Sequence, residues 1–119
     1  MERMIQEWLQ NKEPFYKQLG LHALLPLIIQ SENENLPAYF RMIQPLICEI
    51  PTGLRPDILD IIAALARRSP TETGFFLRQT MRLPESQDTA WVIRQSISEF
   101  PTDVQRYLRE AVRPSFNRD

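Results

Sequence analysis

An internal repeat in the second half of the chain constrains the fold more than any other feature. The segment from Pro70 to Arg82 reads PTETGFFLRQTMR, and the segment from Pro101 to Arg113, 31 residues later, reads PTDVQRYLREAVR. A repeat of about this length that is built from helices is typical of a solenoid, in which no hairpin buries its apolar face alone. We therefore expect an all-α fold, a short α-solenoid of antiparallel helical hairpins, with an irregular helical bundle as the alternative.

Apolar periodicity and proline punctuation divide the chain into about seven helices, without strand alternation. The predicted helices span Met1–Leu9, Pro14–Gln30, Leu36–Cys48, Arg55–Arg68, Pro70–Leu83, Asp88–Ser98 and Pro101–Arg113. Pro26 should bend the second helix or separate its last turn, and Pro45 should disturb the end of the third. Ser69 and Glu72 have the spacing of a capping box at the start of the fifth helix.

Composition and length indicate one globular domain. The 119 residues are 43% hydrophobic and 24% charged, which argues against wholesale disorder. The lone Cys48 excludes an intrachain disulfide and favours a reducing, cytoplasmic location. The segment Met1–Leu9 does not resemble a signal peptide. Because the longest apolar stretch, Ala23–Ile29, is too short to cross a bilayer, no membrane association is expected.

Two segments carry a resemblance to a known family. Trp8 and the segment Phe15–Leu21 (FYKQLGL) resemble a hairpin with a Trp, an aromatic residue, an Arg pair and small-apolar residues. The segment Trp91–Ile97 (WVIRQSI), with Phe100 and the helix at Val104–Leu108, resembles that family's later Phe-Ile-Arg-Lys-Ala-Ile segment. Both are similar to the HEAT-like repeats of the DNA alkylation repair glycosylase family. The resemblance implies a HEAT-like scaffold.

The resemblance does not extend to the activity of that family. Active members place a Trp and an Asp in hairpins that would precede Met1 here, and Lys17 and Gln18 stand at the family's Arg pair. Lys17 could contact a phosphate as a point charge but not in a bidentate manner, so it is a weak candidate. We therefore expect no glycosylase activity.

The residues themselves also favour a chain without catalytic residues, cofactor or metal. With His22 as the single histidine and Cys48 as the single cysteine, no metal-ligand set or nucleophile–base pair is evident. We expect a structural or surface role for His22, and core positions for Cys48 and for Trp8 and Trp91. Acidic residues occur in two pairs, in a predicted loop and at a helix start: Glu32 and Glu34, and Asp57 and Asp60. The first pair should be solvated and the second should favour the helix dipole.

Arginine is the one collective feature. Of fourteen basic residues twelve are arginine, and the repeat should align the fifth and seventh helices in one layer. The candidate phosphate or acidic-ligand face consists of Arg78, Arg82, Arg106, Arg109 and Arg113. The alternatives are a solvated face that is neutralised within the protein, contact with a phosphate backbone, and contact with an acidic protein surface.

These patterns favour a non-enzymatic HEAT-like scaffold that acts as an interaction module with a protein partner. The alternative is a DNA-backbone-binding protein related to the DNA alkylation repair family. Because a short solenoid exposes its end faces, a second copy of the chain is a further candidate partner.

Overall fold

Helices form nearly all of the regular structure. The computed structural model describes residues 2–30 and 35–113, in which seven α-helices and one 3₁₀ helix occur without any strand. The α-helices are α1 (Glu2–Gln10), α2 (Pro14–Gln30), α3 (Leu36–Cys48), α4 (Arg55–Arg68), α5 (Pro70–Met81), α6 (Thr89–Ser96) and α7 (Thr102–Ala111). The 3₁₀ helix spans Ile97–Glu99, where α6 was predicted to continue. The all-α prediction is confirmed.

Proline inside a helix disturbs the backbone less than expected. Helix α2 continues past Pro26 to Gln30, and α3 continues past Pro45 to Cys48. Proline removes one backbone hydrogen bond, but tertiary contacts hold the last turn of α2 in place. Ile28 is fully buried, and its carbonyl oxygen accepts a hydrogen bond from Arg68 at 3.1 Å. The last turn of α2 therefore stays helical.

The capping box predicted at the start of α5 does not form. The N–H of Ser69 donates to the carbonyl oxygen of Leu65 at 2.8 Å, which ends α4. Its hydroxyl donates to Oε1 of Glu72 at 2.7 Å and makes no cap bond to the backbone. Ser69 is the single residue between α4 and α5, so its N–H is already bonded to Leu65 when α5 begins. The capping-box bond from the backbone N–H of Ser69 to the Glu72 carboxylate is therefore absent, and the Ser69 hydroxyl bonds the carboxylate instead.

The odd-numbered helices lie side by side in the order α1, α3, α5, α7. On α3 and α5, the rings of Phe40 and Phe76 stack at 4.5 Å. Four residues further along both helices, Nε2 of Gln44 donates to Oγ1 of Thr80 at 3.0 Å. Because the contacting residues advance in the same direction along both helices, α3 and α5 run parallel.

The even-numbered helices make a second series of contacts, α2 with α4 and α4 with α6. His22 on α2 contacts Asp57 near the start of α4, and Ile28 contacts Arg68 at its end. Helices α2 and α4 therefore also run parallel. Helix α4 also contacts α5 and contains more buried residues than any other helix of the described chain. Its buried residues are Ile58, Ile61, Ile62, Ala64, Leu65 and Ala66.

One apolar cluster joins all seven α-helices of the described chain. It extends from Ile5 and Leu9 on α1 to Val104 and Leu108 on α7. The radius of gyration is 14.1 Å, close to the ~13.5 Å expected of a compact domain of this size. Within the described residues, no helix has the length and apolar character needed to span a bilayer.

Candidate interaction surface

The contact between α5 and α7 determines where Arg78 lies. Its Nη1 donates to the carbonyl oxygen of Tyr107 at 2.8 Å, and its guanidinium carbon lies 4.4 Å from the centroid of the Tyr107 ring. Oε1 of Glu110 is 3.8 Å from the same nitrogen, and the Arg78 side chain is only 25% exposed. Arg78 therefore lies between the two helices and contacts groups of its own chain.

The other four predicted arginines are exposed. Nη2 of Arg109 donates to Oε1 of Gln105 at 3.0 Å, within α7. A step of two residues turns about 200° around a helix, so Arg109 points away from Tyr107 and from α5. No hydrogen bond or ion pair within the described chain engages the guanidinium groups of Arg82, Arg106 or Arg113. The structure thus brings Arg78 to α7 but separates it from Arg109.

Lys17, the weak phosphate candidate, connects the first two helices. Its Nζ donates to the carbonyl oxygen of Leu9 at 2.9 Å, in a partly buried position. Leu9 lies in the last turn of α1, where carbonyl groups lack partners within the helix. The ammonium group therefore stabilises the end of α1.

The residues considered for catalysis or metal binding are dispersed. Nε2 of His22, on a side chain 60% exposed, lies 2.8 Å from Oδ1 of Asp57 and joins α2 to α4. Cys48 is buried; burial and the nearby charge of Glu85 raise the pKa of its thiol, as suits a small core residue. Asp60 is exposed. No group of three potential metal ligands occurs among the described residues, and Glu32 and Glu34 lie outside them.

The two tryptophans are less buried than predicted. Trp8 and Trp91 are both half-buried and lie outside the fully buried core. The guanidinium carbon of Arg55 lies 4.5 Å from the centroid of the Trp91 ring. This cation–π contact between α4 and α6 accounts for the ring face that the core leaves open.

Phe75 is the most exposed large apolar side chain of the odd-numbered helices in the described chain. It lies on α5 and is 54% exposed. On one side, a groove of about 530 Å³ between α3 and α5 is lined by Phe40, Thr71, Glu72, Phe75, Phe76 and Gln79. On the other side, a groove of about 350 Å³ between α5 and α7 is lined by Thr71, Phe75, Asp103, Val104 and Tyr107. We call these two grooves and the Phe75 ridge between them the α3–α5–α7 face.

Carboxylates border one end of the α3–α5–α7 face. Glu72 lies in the first turn of α5 and Asp103 in the first turn of α7. Because Gly74 lies against Val104 and Arg78 against Tyr107, α5 and α7 run parallel, and their first turns lie at the same end. The hydrogen bond from the Ser69 hydroxyl lowers the pKa of Glu72. This end of the face therefore carries negative charge at neutral pH.

Sequence reasoning missed this face, of which the sequence shows only one feature. Phe75 shares a side of α5 with Gln79 and Arg82, both exposed, whereas its neighbour Phe76 is buried. A single exposed aromatic side chain needs no explanation by itself, and Phe75 becomes a candidate only because a groove lies on each side of it. The stacking of Phe40 on Phe76, in contrast, depends on the contact between α3 and α5, which the sequence does not specify.

No family model, curated protein or solved structure matches the chain. The similarity of Trp8, Phe15–Leu21 and Trp91–Ile97 to the HEAT-like repeats of the DNA alkylation repair glycosylase family therefore stays a prediction from the sequence.

Proposed function

We propose that the chain is a non-enzymatic, cytoplasmic interaction module that binds a segment of a partner protein at the α3–α5–α7 face. The observation that carries the proposal is Phe75, a large aromatic side chain 54% exposed between two grooves. Aromatic side chains that a partner covers contribute disproportionately to binding, because they bury a large area with few rotatable bonds.

We further propose that the helices form a short HEAT-like solenoid. Two series of neighbouring helices, α1–α3–α5–α7 and α2–α4–α6, support this interpretation, and within them α3, α5 and α7 run parallel, as do α2 and α4. The contact of Gly74 with Val104 also follows the sequence repeat, since the two residues are 30 positions apart and lie in its two copies. A solenoid presents one row of helices as a continuous surface, which is how such folds bind extended partners.

The shape of the face fits side chains on both sides of Phe75. The two grooves, of about 530 and 350 Å³, lie within the range of pockets that hold small ligands or individual side chains. Phe40 and Phe76 supply an apolar wall on one side, and Val104 and Tyr107 on the other. A partner with apolar residues on one face could cover the Phe75 ring and fill both grooves.

The charge at the border indicates the chemistry of the partner. Glu72 and Asp103 lie at the same end of the grooves, and each is exposed. Opposite charges across an interface increase the rate of association and fix orientation. We therefore propose a partner segment that has apolar residues and carries Lys or Arg at one end.

The exposed arginines support DNA-backbone binding as the competing proposal. Arg82, Arg106 and Arg113 are open to solvent. However, Arg78 is engaged with Tyr107 and Glu110, and Glu72 and Asp103 would repel phosphates near the same helices. The contacts therefore favour a protein segment over a phosphate backbone.

A peptide-display selection on the full chain tests the proposal. We expect enriched peptides to combine apolar residues with Lys or Arg, and their affinity to change little between about 50 and 200 mM salt. Duplex DNA is titrated under the same conditions. Duplex binding that weakens steeply with salt, and that Arg82→Ala with Arg113→Ala removes, would establish the competing proposal instead. Sedimentation of the chain alone provides a further test. A dimer that dissociates in Phe75→Ala would show that a second copy covers the face, and would overturn the proposal of a partner protein.

A further inference from the structure

We propose that a second cavity, between α1 and α3, binds a small organic carboxylate with an apolar tail. The cavity has a volume of about 320 Å³, and Gln6, Gln10, Lys17 and Arg41 are its polar lining residues. We call it the α1–α3 cavity. It lies at the opposite end of the odd-numbered row from α7, so the inference does not depend on the α3–α5–α7 face.

The polar lining has one sign of charge. Lys17 and Arg41 are cationic, Gln6 and Gln10 can donate hydrogen bonds from their amides, and no acid belongs to the lining among the described residues. Glu7 on α1 and Glu13 in the connection before α2 are exposed and lie outside the lining. A ligand with one negative charge would find two cations and two neutral donors there.

Arg41 is the residue that would hold the carboxylate. It is exposed, and within the described chain no ion pair or hydrogen bond engages its guanidinium. A guanidinium matches a carboxylate through two parallel N–H···O bonds. Lys17 has a different role, because its ammonium already donates to the carbonyl oxygen of Leu9.

The C-terminal end of α1 would repel an anion, and Lys17 reduces this repulsion. The last carbonyl groups of a helix carry partial negative charge, and Leu9 and Gln10, in the last turn of α1, line the cavity. The Lys17 ammonium covers the Leu9 carbonyl at 2.9 Å and adds a full positive charge. The carboxylate is therefore favoured on the α3 side of the cavity, next to Arg41.

The apolar lining specifies the rest of the ligand. Leu9 and Leu46 are buried, and Met42 is half-buried and adaptable in shape. A volume of about 320 Å³ is at the lower limit for ligand pockets. A short hydrocarbon tail fits these residues, whereas a polar sugar or nucleotide does not.

Octanoate and uncharged octanol are matched probes for this inference. We expect octanoate to bind the full chain in calorimetry and to shift the NMR amide signals of Gln6, Gln10 and Met42. Arg41→Gln should weaken octanoate about ten-fold, the loss expected for one charged contact. The control Arg106→Gln, another exposed arginine, should leave the affinity unchanged, and octanol should bind more weakly than octanoate.

Three results would overturn the inference. Equal affinity for octanoate and octanol would show that charge is not recognised. Unchanged affinity in Arg41→Gln would remove the proposed carboxylate contact. Shifts confined to residues around Phe75 would place the ligand on the α3–α5–α7 face. Because Arg41 is exposed, its substitution should preserve the fold, which the NMR spectrum of the variant verifies.

Discussion

Arg78 contributes three interactions to the contact between α5 and α7. It donates to the Tyr107 carbonyl at 2.8 Å, stacks over the Tyr107 ring and lies 3.8 Å from Glu110. The hydrogen bond and the stacking matter most, because an ion pair with an exposed carboxylate contributes little. Arg78 is thus primarily a structural residue, although it belongs to the predicted ligand face.

Replacing Arg78 should therefore reduce stability. We expect Arg78→Ala to lower the free energy of unfolding by about 1–2 kcal/mol, through loss of a charged hydrogen bond and a cation–π contact. The matched control Arg82→Ala, four residues away and exposed, should change it by less than about 0.5 kcal/mol. Urea unfolding measures both, and equal losses would contradict the structural role of Arg78.

The Ser69–Glu72 pair provides a test by pH. The hydrogen bond from Ser69 lowers the pKa of Glu72 in the folded chain. A lowered folded pKa gives stability that is present above the unfolded pKa and lost as pH falls through the folded pKa. In Ser69→Ala, the NMR-titrated pKa of Glu72 should rise toward its ordinary value of 4.5. An unchanged pKa would show that the hydroxyl does not bond the carboxylate in solution.

At the scale of helices, α5 and α7 approach closely because Gly74 has no side chain. A Cβ atom there would lie 2.7 Å from Cγ1 of Val104, closer than two carbon atoms tolerate. Glycine is otherwise unfavourable within a helix, costing about 0.5–1 kcal/mol relative to alanine. Its presence in α5 is therefore explained by the packing of α7.

The packing of Gly74 against Val104 predicts that the effect of Gly74→Ala on stability changes sign when Val104 is replaced. Gly74→Ala should destabilise the wild-type chain, because the new methyl group collides with Val104. In a Val104→Ala background the same substitution should stabilise by about 0.5–1 kcal/mol, since only the helix propensity remains. A double-mutant cycle by urea unfolding measures the coupling. Additive effects would mean that the two residues do not touch.

Helix positions were largely predictable because proline marks several helix starts. Pro14, Pro37 and Pro70 lie in the first turn of α2, α3 and α5, where a missing N–H is not costly. The partners of side chains were not predictable in the same way. Periodicity placed Arg78 on one candidate face of α5 with Arg82, whereas its engagement with Tyr107 depends on how closely α7 approaches.

The candidate binding grooves could not be predicted from the sequence as the helices could. The grooves on either side of Phe75 form between helices that are far apart in sequence, so no local pattern encodes them. The α1–α3 cavity likewise combines Lys17 from α2 with Arg41 from α3. Residue type and spacing indicated the positive charges, whereas the cavity results from tertiary packing.

At the scale of the whole molecule, the row of odd-numbered helices carries both proposed binding regions. The chain measures 47 × 30 × 20 Å along its principal axes, so a partner segment can lie across α3, α5 and α7 without reaching α1. The overall charge of −1 does not favour a diffuse contact with nucleic acid. Recognition should therefore depend on apolar contact near Phe75 and on a few charges at its border.

The measurement that tests this account most directly compares two exposed phenylalanines. Phe75 and Phe15 are 54% and 62% exposed, but Phe15 lies at the start of α2, outside the α3–α5–α7 face. For a peptide selected on the wild-type chain, calorimetry gives the dissociation constants of wild type, Phe75→Ala and Phe15→Ala. We predict at least about a ten-fold loss, or about 1.4 kcal/mol, for Phe75→Ala and no change for Phe15→Ala. Equal affinities for all three chains would contradict the proposed binding surface.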